Sequence, residues 1–335
     1  MIENRDPAGQ SERNSAPAVS VIIPAYNATA YICDALESVF AQTCTNFEVI
    51  VINDGSPDTD EFERAIAPYR RRIVYLKQEN RGPSAARNAG IKYARGEYVA
   101  FLDADDAWYP TYLAEQMRIL EATPSLDLIY SDLLLYTDSV STGIPYMQKC
   151  PSKGPVTFES VLQEHCQIPT SNAVARKRAV IEAGLFDEQF WRSEDFDLWL
   201  RMAYNGAKMS YQEKLLGRHR VRSEGLSGDN VRMLEGMVQV LLKLERTLHL
   251  PLGTRALLQA EIAKSQAQYE LEQGKRYLYE GKFGEAAEWF EKANRFFQRT
   301  RLRFVLIGLK IAPRLTALVA KTFQHWRFGL KSVSF

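Results

Sequence analysis

A chain of 335 residues, 46% hydrophobic and 25% charged, has room for one large folded domain and a smaller appendage, in the proportions of an ordinary globular protein. Its four cysteines (Cys33, Cys44, Cys150 and Cys166) form no C-x-x-C pair and join no histidine at zinc spacing, which argues against a zinc module and for a reducing compartment, the cytoplasm. The net charge of +1 hides an asymmetry: residues 292–335 carry ten Lys and Arg and no Asp or Glu, leaving 32 basic against 41 acidic residues in the rest.

Residues 1–17 are polar, lack the apolar core of a signal peptide and are expected to be a disordered tail. Residues 19–24 read as an apolar strand, and 31–42 have helical spacing through Ile32, Leu36, Val39 and Phe40. A second strand over 47–52 is stopped by the turn residues Asn53-Asp54-Gly55-Ser56-Pro57. Helix over 61–69, strand over 73–76, helix over 84–94 and strand over 98–102 follow, with Pro83 opening the last helix and Gly96 closing it. This alternation predicts an α/β fold, a mostly parallel sheet with helices on both faces. Further on, 126–135 reads as a strand, 138–156 as a loop, 177–183 and 195–204 as helices, and 209–221 as extended chain. From Val231 onward the pattern is helical, broken near Pro251, Gly281 and Pro313. The expected division is a tail (1–17), a sheet domain (18–229), a helical region (230–300) and a basic amphipathic tail (301–335).

The chemistry is densest at residues 98–106, where five strand-forming residues run into Asp103, Asp105 and Asp106. A run this short and apolar is a strand buried on both faces, so the acids lie just past its carboxyl end. In open α/β sheets that edge binds ligands. Asp103 and Asp105, two apart on extended chain, point the same way and can share one hard divalent cation. The alternative is an acidic surface turn. Asp106 reads better as the cap of a helix starting near Pro110.

Five segments together resemble the family 2 glycosyltransferases. They are Val19-Ser20-Val21-Ile22-Ile23-Pro24-Ala25-Tyr26-Asn27, Val51-Ile52-Asn53-Asp54-Gly55-Ser56, Gly82-Pro83-Ser84-Ala85-Ala86-Arg87-Asn88-Ala89-Gly90, Phe101-Leu102-Asp103-Ala104-Asp105-Asp106, and Ser193-Glu194-Asp195-Phe196-Asp197-Leu198-Trp199-Leu200-Arg201. The resemblance covers residues 18–228. It implies a GT-A fold, Rossmann-like, followed here by an all-helical C-terminal region. It also implies an inverting transfer from a nucleotide-diphosphate sugar, in many members a UDP-sugar, to a hydroxyl of a polysaccharide, glycolipid or lipid-linked acceptor. By that analogy Asp105 contacts Mg²⁺ or Mn²⁺, Asp103 holds ribose or a metal-bound water, and Asp54 accepts a hydrogen bond from the base. Pro24 and Tyr26 border the nucleoside, and Arg87 either lies near the nucleotide or pairs with an acid. Asp195 is the expected general base, with Glu194 as its rival. Asp197, two residues further on a helix, points away and reads as structural, and Trp199 as core or pocket wall.

One departure concerns the diphosphate. Where many members carry a histidine after the base segment, this chain has Arg222, which can bind phosphate but cannot ligate a metal; His219, three residues away, is not expected to replace it. The turn around Gly281 is similar to that of a tetratricopeptide helix pair, but one unit is too few to stack, so a helical hairpin is expected. The basic tail is too interrupted for a transmembrane helix. It reads as helix lying on an anionic membrane, which would put the protein on the inner face of the cytoplasmic membrane; the alternative is packing on the protein itself. No nucleic-acid-reading motif accompanies the charge. The competing function is a catalytically inactive scaffold acting through its helical C-terminus, against which the intact Asp54, Asp103, Asp105 and Asp195 argue.

Overall fold

After a two-residue strand, β1 (Glu3–Asn4), the chain alternates strand and helix: β2 (Val19–Ala25), α1 (Ile32–Phe40), β3 (Phe47–Asp54), α2 (Thr59–Ala65), β4 (Val74–Gln78), α3 (Gly82–Tyr93) and β5 (Tyr98–Phe101). The structure, a computed structural model, describes residues 3–4, 16–137, 141–222 and 229–322. Its contacts divide the chain into two compact units, Met1–Val221 and Arg222–Phe335. β2 pairs in parallel with β3 and β5, and β3 with β4, so four carboxyl ends reach one sheet edge. Both faces of these strands are covered, which is why their sequences are continuously apolar. On one face Val19, Val21 and Ile23 pack with Ile32, Leu36 and Val39 of α1. On the other, α3 crosses at Gly90, where an added Cβ would stand 2.5 Å from the Ile22 side chain. Only glycine lets that helix lie so close.

The rest of the first unit departs from the parallel pattern. It comprises β6 (Ala107–Trp108), α4 (Tyr112–Ala122), β7 (Leu128–Tyr136), β8 (Ser141–Pro145), α5 (Tyr146–Lys149), α6 (Phe158–Leu162), β9 (Ala173–Arg176), α7 (Lys177–Glu182), α8 (Glu194–Tyr204) and β10 (Met209–Arg220). β9 runs antiparallel between β5 and β7, and β10 lies parallel to β7. The sheet order is β1-β4-β3-β2-β5-β9-β7-β10-β6, with β8 on β7. The sheet is therefore parallel from β4 to β5 and mixed beyond. Nothing in the sequence marks β9, because four residues are too few to show a period. Residues 138–156, expected as loop, contain β8 and the single turn α5; pairing with β7 makes a strand of residues whose glycine and prolines suggest none. Within the expected N-terminal tail, residues 3–4 pair with β4, while residues 1–2 and 5–15 lie outside the described residues.

The second unit is helical: α9 (Asn230–Thr247), α10 (Leu252–Tyr279), α11 (Phe283–Phe297), α12 (Thr300–Ile311) and α13 (Pro313–Thr322). Asp229 caps α9, its side chain accepting from the Arg232 backbone N–H at 3.2 Å. The breaks at Pro251, Gly281 and Pro313 are joined by one at Gln298, which takes a left-handed φ of 50°. The core of this unit runs through Leu271, Leu278, Phe290, Leu302 and Leu309. Among the described residues no helix is long and apolar enough to cross a membrane.

Candidate active site

The carboxyl edge of β2, β3 and β5 gathers the polar residues that the apolar strands cannot hold. Asp54 ends β3 and is buried. Its Oδ1 accepts from Gln78 Nε2 at 2.7 Å and from the Arg81 backbone N–H at 3.0 Å; Oδ2 accepts from the Gly82 N–H at 2.8 Å. Among the described residues, three of its roughly four acceptor sites are thus used to hold the loop between β4 and α3. Pro24 is half-buried near the end of β2, and Tyr26 just beyond it is 52% exposed. Asn27, held at φ 50°, donates its N–H to Ser56 Oγ and ties the loop after β2 to the one after β3.

Arg87, buried on α3, joins two segments far apart in sequence. Its Nη2 donates to Asp103 Oδ1 at 2.7 Å and its Nη1 to Glu194 Oε1 at 2.6 Å. Its Nε is buried without a partner among the described residues. Burial works against the guanidinium charge, but Asp103 and Glu194 more than offset it and raise its pKa. The two carboxyls respond differently. Burial opposes ionisation of Asp103, yet Arg87, aided by His219 and Ser171, holds it below the usual carboxylate range. Glu194 is raised to about 7, first by burial and then by the neighbouring Asp195, against the pull of Arg87.

The acidic turn after β5 is fixed from β10. Asp106 is buried, its Oδ2 lies 2.9 Å from His219 Nδ1, and its Oδ1 accepts from the Arg220 backbone N–H at 2.9 Å. The expected capping role is therefore overturned: α4 has Thr111 at its N-cap with no side-chain cap, and Asp106 points to β10 instead. The carbonyl of Asp105 accepts from Arg220 Nε and Tyr136 Oη, at 3.2 and 3.3 Å. Burial lowers the affinity of His219 for its second proton, but Asp106, Asp105 and Asp103 win and raise its pKa to about 9. At neutral pH it is an imidazolium donating to Asp106.

Asp195 lies in the first turn of α8, where the helix dipole favours a carboxylate. Ser193 before it is buried with a left-handed φ of 57°, a conformation that costs energy for a non-glycine residue and sets the angle at which the helix starts. Asp195 is half-buried; its Oδ2 accepts from Thr170 Oγ1 at 2.7 Å and its Oδ1 from the Phe196 N–H at 2.8 Å. The next residue of that turn, Ser171, accepts the Asp103 N–H on its Oγ at 3.1 Å. Thr170 and Ser171 thus bridge the acids after β5 and those opening α8. Asp197 turns the other way and pairs with Arg201 at 2.6 Å, and Trp199 is buried against Phe101 and Phe186.

Of the residues singled out from sequence, Arg87 joins Asp103 to Glu194, the Thr170–Ser171 turn joins Asp103 to Asp195, and Asp105 lies two residues after Asp103 with its carbonyl held by Arg220 and Tyr136. Arg222 opens the second unit, and residues 223–228 after it lie outside the described residues. Sequence reasoning set His219 aside and did not find Thr170 or Ser171; a polar turn after Pro169 has no local feature that distinguishes it from any loop. Asp105 is half-buried, and Asp103 engages Arg87. No cluster of three or more His, Cys, Asp or Glu suited to a metal occurs among the described residues. The donor set fits a hard cation that takes most of its shell from phosphate oxygens and water.

The family model described as Glycosyl transferase family 2 matches residues 20–138. The glycosyltransferase RP339 of Rickettsia prowazekii, itself uncharacterised, is 31% identical over 224 residues, 66% of this chain and 69% of the relative. WfaP of Escherichia coli, a UDP-Glc:α-D-GlcNAc-diphosphoundecaprenol β-1,3-glucosyltransferase, is 30% identical over 67% of this chain and 85% of its own length. The chain is a family 2 glycosyltransferase. It spans about a third (35%) of the Rickettsia felis relative, to which it is 32% identical. Among solved structures, S. aureus TarS in complex with UDP-GlcNAc superposes with a TM-score of 0.62 at 19% identity, covering 93% of both chains. The mannosyltransferase PcManGT of Pyrobaculum calidifontis, in complex with GDP-Man and Mn²⁺, gives 0.60 at 18% identity over 92% of this chain and 88% of that one. The fold of this glycosyltransferase is accordingly GT-A, with a helical region after the sheet.

Proposed function

We propose that this family 2 glycosyltransferase inverts the anomeric centre of a UDP-linked sugar and places it on a hydroxyl of a polysaccharide, glycolipid or lipid-linked acceptor at the inner face of the cytoplasmic membrane. The observation that carries this reading is the turn at Thr170 and Ser171, which binds the Asp195 carboxylate through Thr170 Oγ1 and the Asp103 backbone N–H through Ser171 Oγ. The acceptor named for the E. coli relative supports a lipid-linked one here. In the reaction, Pro24 and Tyr26 border the nucleoside and Asp54 accepts a hydrogen bond from the base. Arg87 keeps Asp103 ionised and oriented. Asp105, with Asp103 beside it, would hold Mg²⁺ or Mn²⁺, which when bound neutralises the charge growing on the departing nucleoside diphosphate. Asp195 takes the proton of the acceptor hydroxyl as its oxygen bonds to the anomeric carbon on the face opposite the leaving group.

The test is UDP release and product formation with UDP-sugars and Mn²⁺. Asp105→Ala is expected to lower kcat/KM by roughly 10²–10³. Asp195→Asn is expected to lower transfer by about 10²–10⁴ while leaving donor binding intact. Full transfer activity in Asp195→Asn would assign the base elsewhere.

A further inference from the structure

Among the described residues, the C-terminal helices α12 and α13 expose a run of apolar side chains. Leu302 and Leu309 of α12 and Ala317 of α13 are buried in the core of the helical unit. Phe304, Ile307 and Ile311 are exposed by 69, 52 and 78%, and Leu315 by 60%. At about 100° per residue, Phe304, Ile307 and Ile311 form one stripe roughly opposite Leu302 and Leu309. Arg301 falls on one side of that stripe and Arg303 and Lys310 on the other; Arg314 begins the same arrangement on α13. Gly308 is what lets the two helices sit together, since a Cβ there would stand 2.6 Å from Thr316 Oγ1.

We infer that this face of α12 and α13 docks flat on a lipid bilayer carrying anionic headgroups. The charge decides the occupant. Between residues 292 and 335 there are ten Lys and Arg and no acid, while the rest of the chain is acidic in balance. A second copy of the chain would set those arginines against one another. A bilayer with anionic headgroups accepts the apolar stripe into its interface and the flanking guanidiniums among its phosphates at the same depth. Among the described residues no helix is long and apolar enough to span, so the contact lies in the membrane plane. The inference goes beyond the proposed reaction, and it holds whatever sugar or acceptor the enzyme uses.

The experiment is co-sedimentation of the full chain with vesicles of phosphatidylcholine alone or mixed with phosphatidylglycerol. Wild type is expected to bind the anionic vesicles and to be released by high salt. The triple variant Phe304→Gln, Ile307→Gln, Ile311→Gln is expected to bind about tenfold more weakly. Arg301→Gln, Arg303→Gln, Arg314→Gln should lose the preference for anionic lipid. Hydrolysis of the nucleotide sugar, unchanged in both variants, shows that each is folded and separates this result from any failure of the proposed transfer. Equal binding to neutral vesicles, or undiminished binding by the first variant, overturns the inference. So does a wild-type dimer in light scattering that the same variant converts to monomer.

Discussion

Replacing Arg87 by Met removes the cation that pairs with both Asp103 and Glu194, with little change in volume. The Glu194 arm is the costly one, because both side chains are nearly buried, 6% and 10% exposed, at a separation of 2.6 Å. Breaking a buried pair while leaving its partner in place costs about 3–5 kcal/mol. The Asp103 arm is a third exposed (33%), so solvent screens it and it adds less than about 1 kcal/mol. Arg87→Met should therefore cost about 4 kcal/mol, a fall in Tm of roughly 8–16 °C for a unit of this size. Glu194→Gln removes the stranded carboxylate, so Arg87→Met/Glu194→Gln should be more stable than Arg87→Met alone by about 1–2 kcal/mol. Urea unfolding of the four proteins at about pH 9, above the raised value of about 7 so that Glu194 is ionised in the wild type, measures the cycle. A loss below about 1 kcal/mol in Arg87→Met, or additivity of the two substitutions within about 0.5 kcal/mol, would refute the reasoning.

Burial and Asp195 raise Glu194 from its ordinary 4.5 to about 7, so the folded state keeps a proton that the unfolded chain has already released. Stability should fall as pH rises from 4.5 through 7, and Glu194→Gln should flatten that slope in Tm measured against pH. Thr170→Val removes the hydroxyl that orients Asp195; kcat should drop roughly threefold to tenfold with the donor KM unchanged, the equivalent of one hydrogen bond, whereas a change confined to KM would deny Thr170 that role. Gly274→Ala would add about 1 kcal/mol of helix stability by propensity alone, but the new Cβ would stand 2.5 Å from the Phe290 ring, so a net loss of about 1–3 kcal/mol is expected in thermal unfolding.

The sequence shows the sheet edge clearly because its signal is local. Residues 98–102 are apolar and the next acids are not, and burial energetics alone puts Asp103 and Asp105 past the end of β5. Asp54 is legible for the same reason at the end of β3. What escapes is whatever depends on a partner distant in the chain. Asp106 has the residue type and position of a helix cap, yet it meets His219, 113 residues on. No pattern around residue 106 registers that, because the pairing is set by where β10 re-enters the sheet. β9 is hidden likewise: its four residues, Ala-Val-Ala-Arg, become a strand only because β5 and β7 leave a gap of one strand's width between them.

The same distinction explains why Arg87 remained ambiguous and Asp195 did not stand apart from Glu194. Adjacent acids at the start of a helix are equivalent by propensity, and both benefit from its dipole. They differ in what each finds across the edge. Glu194 meets a buried guanidinium that already serves Asp103, and so is bound into the scaffold. Asp195 meets a hydroxyl, which orients a carboxylate without neutralising it. A general base has to keep its lone pairs basic and partly reachable, so the residue left with the weaker partner is the better candidate. Arg87 separates the roles by occupying one of the two acids, and its own position is fixed by α3 lying against the sheet at Gly90. A packing requirement on one face of the sheet thus decides which of the two carboxylates opening α8 is engaged by Arg87.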